Sequence, residues 1–282
     1  MVQNYSPAAE QESMAIRPWA KLPLLRAAGG KTDNRPVSRS RWQQRIARAE
    51  DLARKHSFAA EILRFYVQIA RFQEGLYLSQ PERHANFPQF LDLVANCGPE
   101  RVAHSAGGLR RGAEKDRIDL LDRIWPSADD SPSTPEDFLA FAYLQPFAEF
   151  GRESSGVQVE GYAGSDCPWC NRRPGLAVLR PQGDGGQRNL VCGFCLAEWQ
   201  FRRVVCPGCG EENHIKLPVY TAAELPHIRL ECCDSCKTYI KCIDLTKTGL
   251  ADPLVDELAS IPLDLWAEER GYAKLHPNLL GM

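Results

Sequence analysis

The spacing of hydrophobic positions changes about halfway along the chain, dividing it into two kinds of predicted structure. Ala59, Ile62, Leu63, Tyr66, Ile69 and Ala70 recur at three- and four-residue steps and continue to Phe72. This predicts an amphipathic helix, with Ser57 as its N-cap. Phe90–Cys97 predicts a short helix. Thr134-Pro135-Glu136-Asp137 offers a cap, a proline at the first helical position and first-turn acids ahead of a helix over 138–150. Beyond residue 160 the apolar residues fall in short β-like runs. Leu176–Arg180 and Asn189–Val191 flank a turn at Pro181–Gly186, and His214–Tyr220 and His227–Glu231 flank Thr221–Pro226. The longest uninterrupted apolar run, Phe138 to Leu144, is too short to cross a bilayer.

Composition adds exclusions. With 282 residues, 44% hydrophobic and 25% charged, the chain is ordinary globular material of one or two domains, which excludes a fully disordered protein. The 34 basic and 36 acidic residues give a net charge of −2, which argues against a dedicated nucleic-acid binder. Met1 to Ala20 lacks a basic-then-apolar pattern, so neither a secretory nor a twin-arginine export signal is expected. Residues 1–40, rich in Pro, Ser, Gly and Ala, are expected to form a loosely ordered arm. Arg35, Arg39, Arg41, Arg45 and Arg48 have no acid between them. They read as a solvated entry into the first helix, with an anion or partner contact as the alternative.

The candidate chemistry lies in the cysteines. Ten of the eleven fall between Cys167 and Cys242, and eight form four pairs at one spacing: Cys167/Cys170, Cys192/Cys195, Cys206/Cys209 and Cys233/Cys236. CxxC neighbours are poor structural disulfide partners for each other but supply two metal ligands from one turn. Four such pairs favour metal over redox exchange, which would also want a thioredoxin βαβ pattern. Twenty-one residues lie between Cys170 and Cys192, and twenty-three between Cys209 and Cys233. Those gaps suit a hairpin joining two knuckles, as in zinc ribbons and rubredoxins. The first predicted site is therefore Cys167, Cys170, Cys192 and Cys195; the second is Cys206, Cys209, Cys233 and Cys236. Interleaved pairing stays open. Pro168 and Pro207 preorganise their turns, and Asn171 and Gly210 tolerate the left-handed conformation a knuckle needs.

The remaining candidates have plainer readings. Cys232 could replace Cys233 only by breaking the spacing, Cys242 reads as a strand residue, and Cys97 as a small buried hydrophobe. His214 and His227 fall on proposed strands beside an already complete thiolate set and read as surface or edge residues. Trp169, Phe194 and Trp199 read as packing over the knuckles; stacking on bases, helped by Arg202 and Arg203, is the alternative.

The same residues resemble a known family, the formate dehydrogenase accessory protein FdhE. The resemblance rests on Cys167-Pro168-Trp169-Cys170 with Pro174, Val191-Cys192-Gly193-Phe194-Cys195 with Trp199, and Arg202. It continues through Cys206-Pro207-Gly208-Cys209-Gly210 and Cys233-Asp234-Ser235-Cys236 with Tyr239 and Lys241. The tail is similar at Ala251-Asp252-Pro253, Asp256-Glu257-Leu258-Ala259, Leu263-Asp264-Leu265 and Gly271-Tyr272. Asn171 departs from the family, which more often has Gly there. The resemblance implies a cytoplasmic, non-enzymatic factor that is required for active formate dehydrogenase and acts on its catalytic subunit. It also implies iron held by the cysteine pairs.

The expected fold is α+β: a helical domain over 41–155, metal modules over 160–200 and 201–245, both rubredoxin- or zinc-ribbon-like, and a helical tail over 246–282. Four thiolates leave no open coordination position, which disfavours hydrolysis but suits structure or one-electron transfer, with zinc as the alternative occupant. A zinc-ribbon nucleic-acid binder and a rubredoxin-type electron carrier are the competing functions, and association into a homodimer is left open.

Overall fold

The computed structural model describes residues 36–125, 132–156, 161–279 and 281, with side chains from Arg41 onward. The proposed arm lies almost wholly outside them. Six helices come first: α1 (Pro36–Lys55), α2 (Ala60–Ser79), α3 (Phe87–Cys97), α4 (Glu100–Arg111), α5 (Glu114–Ile124) and α6 (Pro135–Ser155). The periodic stripe forms the buried face of α2, including Leu63, Tyr66, Ile69 and Ala70. Ser57 is not its cap: Ser57–Ala59 is a 3₁₀ turn, and α2 follows from Ala59 with no side-chain capping bond. The α6 start is as read, with Thr134 and Asp137 in a reciprocal capping box and Pro135 in the first turn.

α6 is buried along most of its length, and its packing accommodates an internal proline. Pro146 removes one helical N–H, which leaves the carbonyl four residues earlier without its donor. That carbonyl, on Ala142, accepts a bond of 2.6 Å from the buried Gln73 amide of α2. A local defect in one helix thus becomes a specific tie to another.

In its described part, Arg41, Arg45 and Arg48, the arginine run is not a solvated face. Arg45 is buried and makes a two-pronged pair with Glu149 of α6 at 2.9 and 3.1 Å. Arg41 reaches Glu149 and Glu153, and Arg48 grips Asp256 far along the chain. Acids from distant segments meet the run, which is why the local sequence without acids looked solvated. The charges of Arg41, Arg45 and Arg48 are matched within the fold, whereas Arg35 and the side chain of Arg39 lie outside the described residues.

The second half builds one sheet from β1 (Pro174–Gln182), β2 (Gly185–Cys192), β3 (Glu198–Gln200), β4 (Val219–Ala222), β5 (Leu225–Cys233), β6 (Thr238–Asp244) and β7 (Ala273–Lys274). Along the sheet the order is β3-β2-β1-β6-β5-β4, with β7 pairing to β6. Each knuckle-to-knuckle segment is an antiparallel hairpin, β1 with β2 and β4 with β5. The two modules fuse where β1 and β6 run parallel, Ala177 opposite Cys242 and Leu179 opposite Asp244. Arg188 of β2 and Glu231 of β5 form an ion pair across that junction. Cys242 is a buried strand residue at the seam. The predicted strand His214–Tyr220 is shorter: His214–Lys216 is a 3₁₀ turn and pairing begins at Val219.

The tail returns to this sheet. α7 (Pro253–Ala259) is capped by Asp252, whose carboxylate accepts from the N–H groups of Leu254 and Val255; α8 (Ile261–Glu269) follows. Together they bury an ion cluster under β6. Lys241 Nζ, with no exposed surface, lies 2.8 Å from Glu257 and 2.7 Å from Asp264, and Lys274 of β7 contacts both acids. Two cations facing two anions balance the charge, which such burial requires.

Candidate metal centres

The four cysteine pairs build four turns of one design. In each, the residue after the second cysteine is left-handed: Asn171 (φ 58°), Leu196 (φ 55°), Gly210 (φ 76°) and Lys237 (φ 56°). That residue's N–H bonds back to the first cysteine's carbonyl at Asn171 and Gly210, both 2.9 Å, and at Lys237, 2.8 Å. Asn and Gly were recognisable from sequence as tolerant of this conformation. Leu196 and Lys237 were not, because neither residue type signals it. The tight turn also aims backbone N–H groups at sulfur. Trp169 N–H points at Cys167 Sγ (3.4 Å), Phe194 N–H at Cys192 Sγ (3.4 Å) and Gly208 N–H at Cys206 Sγ (3.3 Å). Such bonds stabilise thiolate charge.

Pairs of turns bring eight thiols into two groups of four: Cys167, Cys170, Cys192 and Cys195, then Cys206, Cys209, Cys233 and Cys236. Within each group all four sulfurs lie within 4.8 Å of one another. Sulfur–sulfur distances are 3.5 Å for Cys167–Cys195, 3.4 Å for Cys170–Cys192, and 3.7 Å for both Cys206–Cys236 and Cys209–Cys233. A metal with sulfur bonds of about 2.3 Å in a tetrahedron needs about 3.8 Å between sulfurs, whereas a disulfide needs about 2.05 Å. The groups fit a four-thiolate ion and do not fit disulfides. The electrostatics agree. In the first group burial pushes the Cys195 thiol well up; at Cys192 burial is outweighed by bonds from Cys167, Cys170 and Cys195, which hold it well down. Four crowded thiols cannot ionise together unless a cation supplies the opposing charge.

The surroundings of the two groups differ. All four cysteines of the first are buried, and α6 secures its second turn: Gln145 donates to the Gly193 carbonyl and Arg152 to the Cys195 carbonyl. Gly193 packs so closely on Gly175 that a Cβ at Gly175 would lie 2.9 Å from the Gly193 Cα. Phe194 is sealed against Phe141, and the buried Arg172 guanidinium lies 4.4 Å from its ring centre. Buried His276, from the tail, lies against Gly193; burial keeps its imidazole below the ordinary range. In the second group Cys209 is exposed and Cys236 half-buried. There burial pushes Cys206 up to about 12. For Cys236, burial is outweighed by hydrogen bonds to Thr238, Cys209 and Cys233 together, which hold the thiol down to about 7.

The remaining residues sort as follows. Cys232 is buried on β5, outside both groups. Cys97 is exposed, not buried; it ends α3 with its thiol donating to the Leu93 carbonyl at 3.1 Å, on the solvent side of a helix whose apolar face is spent on Phe90, Leu91 and Val94. His214 is exposed and His227 bonds Asp256 at 2.7 Å, so neither joins the thiols. Phe194 and Trp199 are buried, Trp199 donating to the Gly164 carbonyl. Trp169 leans on α6, its indole N–H bonded to Ser155. Arg172 and His276 escaped the sequence reading: Arg172 sat in plain view beside Cys170, but nothing local signals that the tail folds back to the first site.

Comparison with known proteins agrees with this architecture. The family description "FdhE, central domain" matches residues 166–203 and "FdhE, C-terminal domain" matches 204–280, so the boundary falls between the two cysteine groups. A protein FdhE homolog of Pseudomonas putida is 35% identical over 280 residues, covering 85% of this chain and 86% of the relative. One from Aquifex aeolicus is 35% identical over 199 residues, 69% of each. The crystal structure of the FdhE protein from Pseudomonas aeruginosa superposes with a TM-score of 0.65 at 26% identity, covering 86% of this chain and 96% of that one. With a helical first half, two four-cysteine groups on one sheet and relatives matching along most of its length, this chain belongs to the FdhE family.

Proposed function

We infer that the protein is an accessory factor required for active formate dehydrogenase, acting on the enzyme's catalytic subunit in the cytoplasm without turnover of its own. Family membership supports the accessory role. The observation that carries the non-enzymatic part is the closure of both cysteine groups: four sulfurs at tetrahedral spacing leave no position for substrate or water on the metal. Iron is the proposed occupant of both sites, held by Cys167, Cys170, Cys192 and Cys195 and by Cys206, Cys209, Cys233 and Cys236. When bound, it supplies charge compensation and a one-electron couple. The residues 41–155 serve as the helical domain, 160–200 and 201–245 as the metal modules and 246–282 as the tail that braces them. Among the described residues no helix is long and apolar enough to cross a membrane.

Deleting the gene in its own host tests the reading. Formate oxidation should fall to near background while catalytic-subunit polypeptide is still made, and the intact gene should restore it. Undiminished formate oxidation in the deletion strain rejects the accessory role. Metal analysis of anaerobically purified protein should return two iron equivalents; two zinc equivalents and a colourless solution reject iron.

A further inference from the structure

The second module ends in an unfinished edge. β4 pairs with β5 on one side, and no described strand pairs with its other side. Asp234 donates its N–H to the Lys216 carbonyl and Cys232 to the Pro218 carbonyl, which fixes the alternation of this antiparallel pair. The N–H and C=O groups of Val219 and Thr221 therefore face outward, available to another strand. Exposed edges are usually blunted by lysine or other charge. Here Pro218 marks only the strand's start, and Val219, Tyr220 and Thr221 are uncharged.

A groove of about 490 Å³ adjoins this edge, beside Cys206 and Cys233. Val219 faces it, as does Glu231 opposite, whereas Tyr220 turns to the other face and packs on Trp266. Val204 and Val219 leave about half their surface exposed on its walls, 51% and 54%. The charges in the groove do not cancel. Arg188 is matched by Glu231 and Arg229 by Asp244, but the exposed Arg203 has no ion-pair partner among the described residues. Outside the thiolate group the unmatched side-chain charge is one cation, Arg203.

An open strand edge, apolar walls and a cationic rim together describe a site for an extended peptide. We propose that β4 and this groove receive an extended segment of the client catalytic subunit as an added strand, with apolar side chains entering between Val204 and Val219 and a carboxylate meeting Arg203. This rests on the accessory reading above and supplies the surface on which it operates. Backbone pairing gives strength with little demand on sequence, while the alternating side chains and the acid give selection.

The test uses the full-length, metal-loaded protein and purified formate dehydrogenase catalytic subunit. Two variants act on different parts of the site. Val219→Pro removes an outward N–H that makes no ladder bond, and Arg203→Glu reverses the rim charge. Each should weaken binding at least tenfold with metal content unchanged. Amide exchange in the unaltered protein should slow at Val219 and Thr221 when the subunit is added, which reads the edge without any substitution. If the unaltered protein binds the subunit but both variants bind equally well and these amides are unprotected, the docking site is wrong and the accessory reading stands. If the unaltered protein does not bind the subunit, both fall. If Val219→Pro instead converts a dimer to a monomer without affecting subunit binding, the edge serves self-association and the proposal is overturned.

Discussion

The two four-cysteine modules share one local design and differ in what surrounds it. Each cysteine pair ends in a left-handed residue, and each group of four brings its sulfurs to tetrahedral spacing. Yet the first group is wholly buried, pinned by Gln145 and Arg152 of α6 and covered by Arg172 and Phe194, while the second shows Cys209 to solvent. Ligand geometry is thus written within a few residues of each cysteine. Access to the sulfurs is decided by helices and tail segments far away in sequence. The two sites should differ in exchange rate more than in structure.

Removing ligands produces the largest effect on that comparison. The Cys192→Ser/Cys195→Ser double variant should lose one metal equivalent and unfold the first module with the α6 face that rests on it, since thiolate binding of a structural metal contributes on the order of 10 kcal/mol. Replacing Cys206 and Cys209 should also lose one equivalent but leave α1–α6 folded. In the unaltered protein a chelator should strip the second site about tenfold faster than the first or more, a difference of about 1.4 kcal/mol in the opening required. Equal stripping rates, followed by absorption or metal release, would erase the distinction drawn here.

A smaller effect tests whether the tail gives the second module a brace equivalent to α6. Lys241→Met leaves Glu257 and Asp264 with Lys274 alone and should lower unfolding stability by about 3 kcal/mol in urea titration. Acid makes the same point without mutation. Burial alone would raise the Glu257 carboxyl, but Lys241 and Lys274 outweigh it and hold it down to about 2 against an ordinary 4.5. A group depressed on folding stabilises above its unfolded value, so this contribution is full above about pH 4.5 and is lost as pH falls toward 2. Stability measured across that window should decline less steeply in Glu257→Gln. The smallest change is at Lys237, left-handed and exposed: Lys237→Gly should gain about 0.5 kcal/mol, net of its surface pair with Asp234.

What could be read from sequence divides along the same line. Knuckles, hairpins and the Thr134 cap are local patterns, and their residues carry the signal. The grouping of eight cysteines followed from two near-equal gaps, because one hairpin must fit in each. Errors came where the deciding partner was remote. The arginine run looked solvated because Glu149 and Asp256 lie a hundred or more residues away. Cys97 looked buried because only the packing of α3 decides which side of that turn meets water. The parallel pairing of β1 with β6 was invisible, since two ribbons read separately give no reason for one sheet.

That pairing, with the grip of Arg48 on Asp256 across 208 positions, bears on how the chain is made. On the ribosome the earlier helices emerge first, at roughly 5–20 residues per second, yet Arg45 waits for Glu149 and Arg48 for Asp256. The first hairpin likewise waits for β6. The helices and the sheet therefore cannot close until β6 and α7 have been made, and a chain stopped before them keeps Arg48 and one edge of β1 without partners. The long-range ties thus make the fold of the earlier helices and hairpin depend on segments made much later.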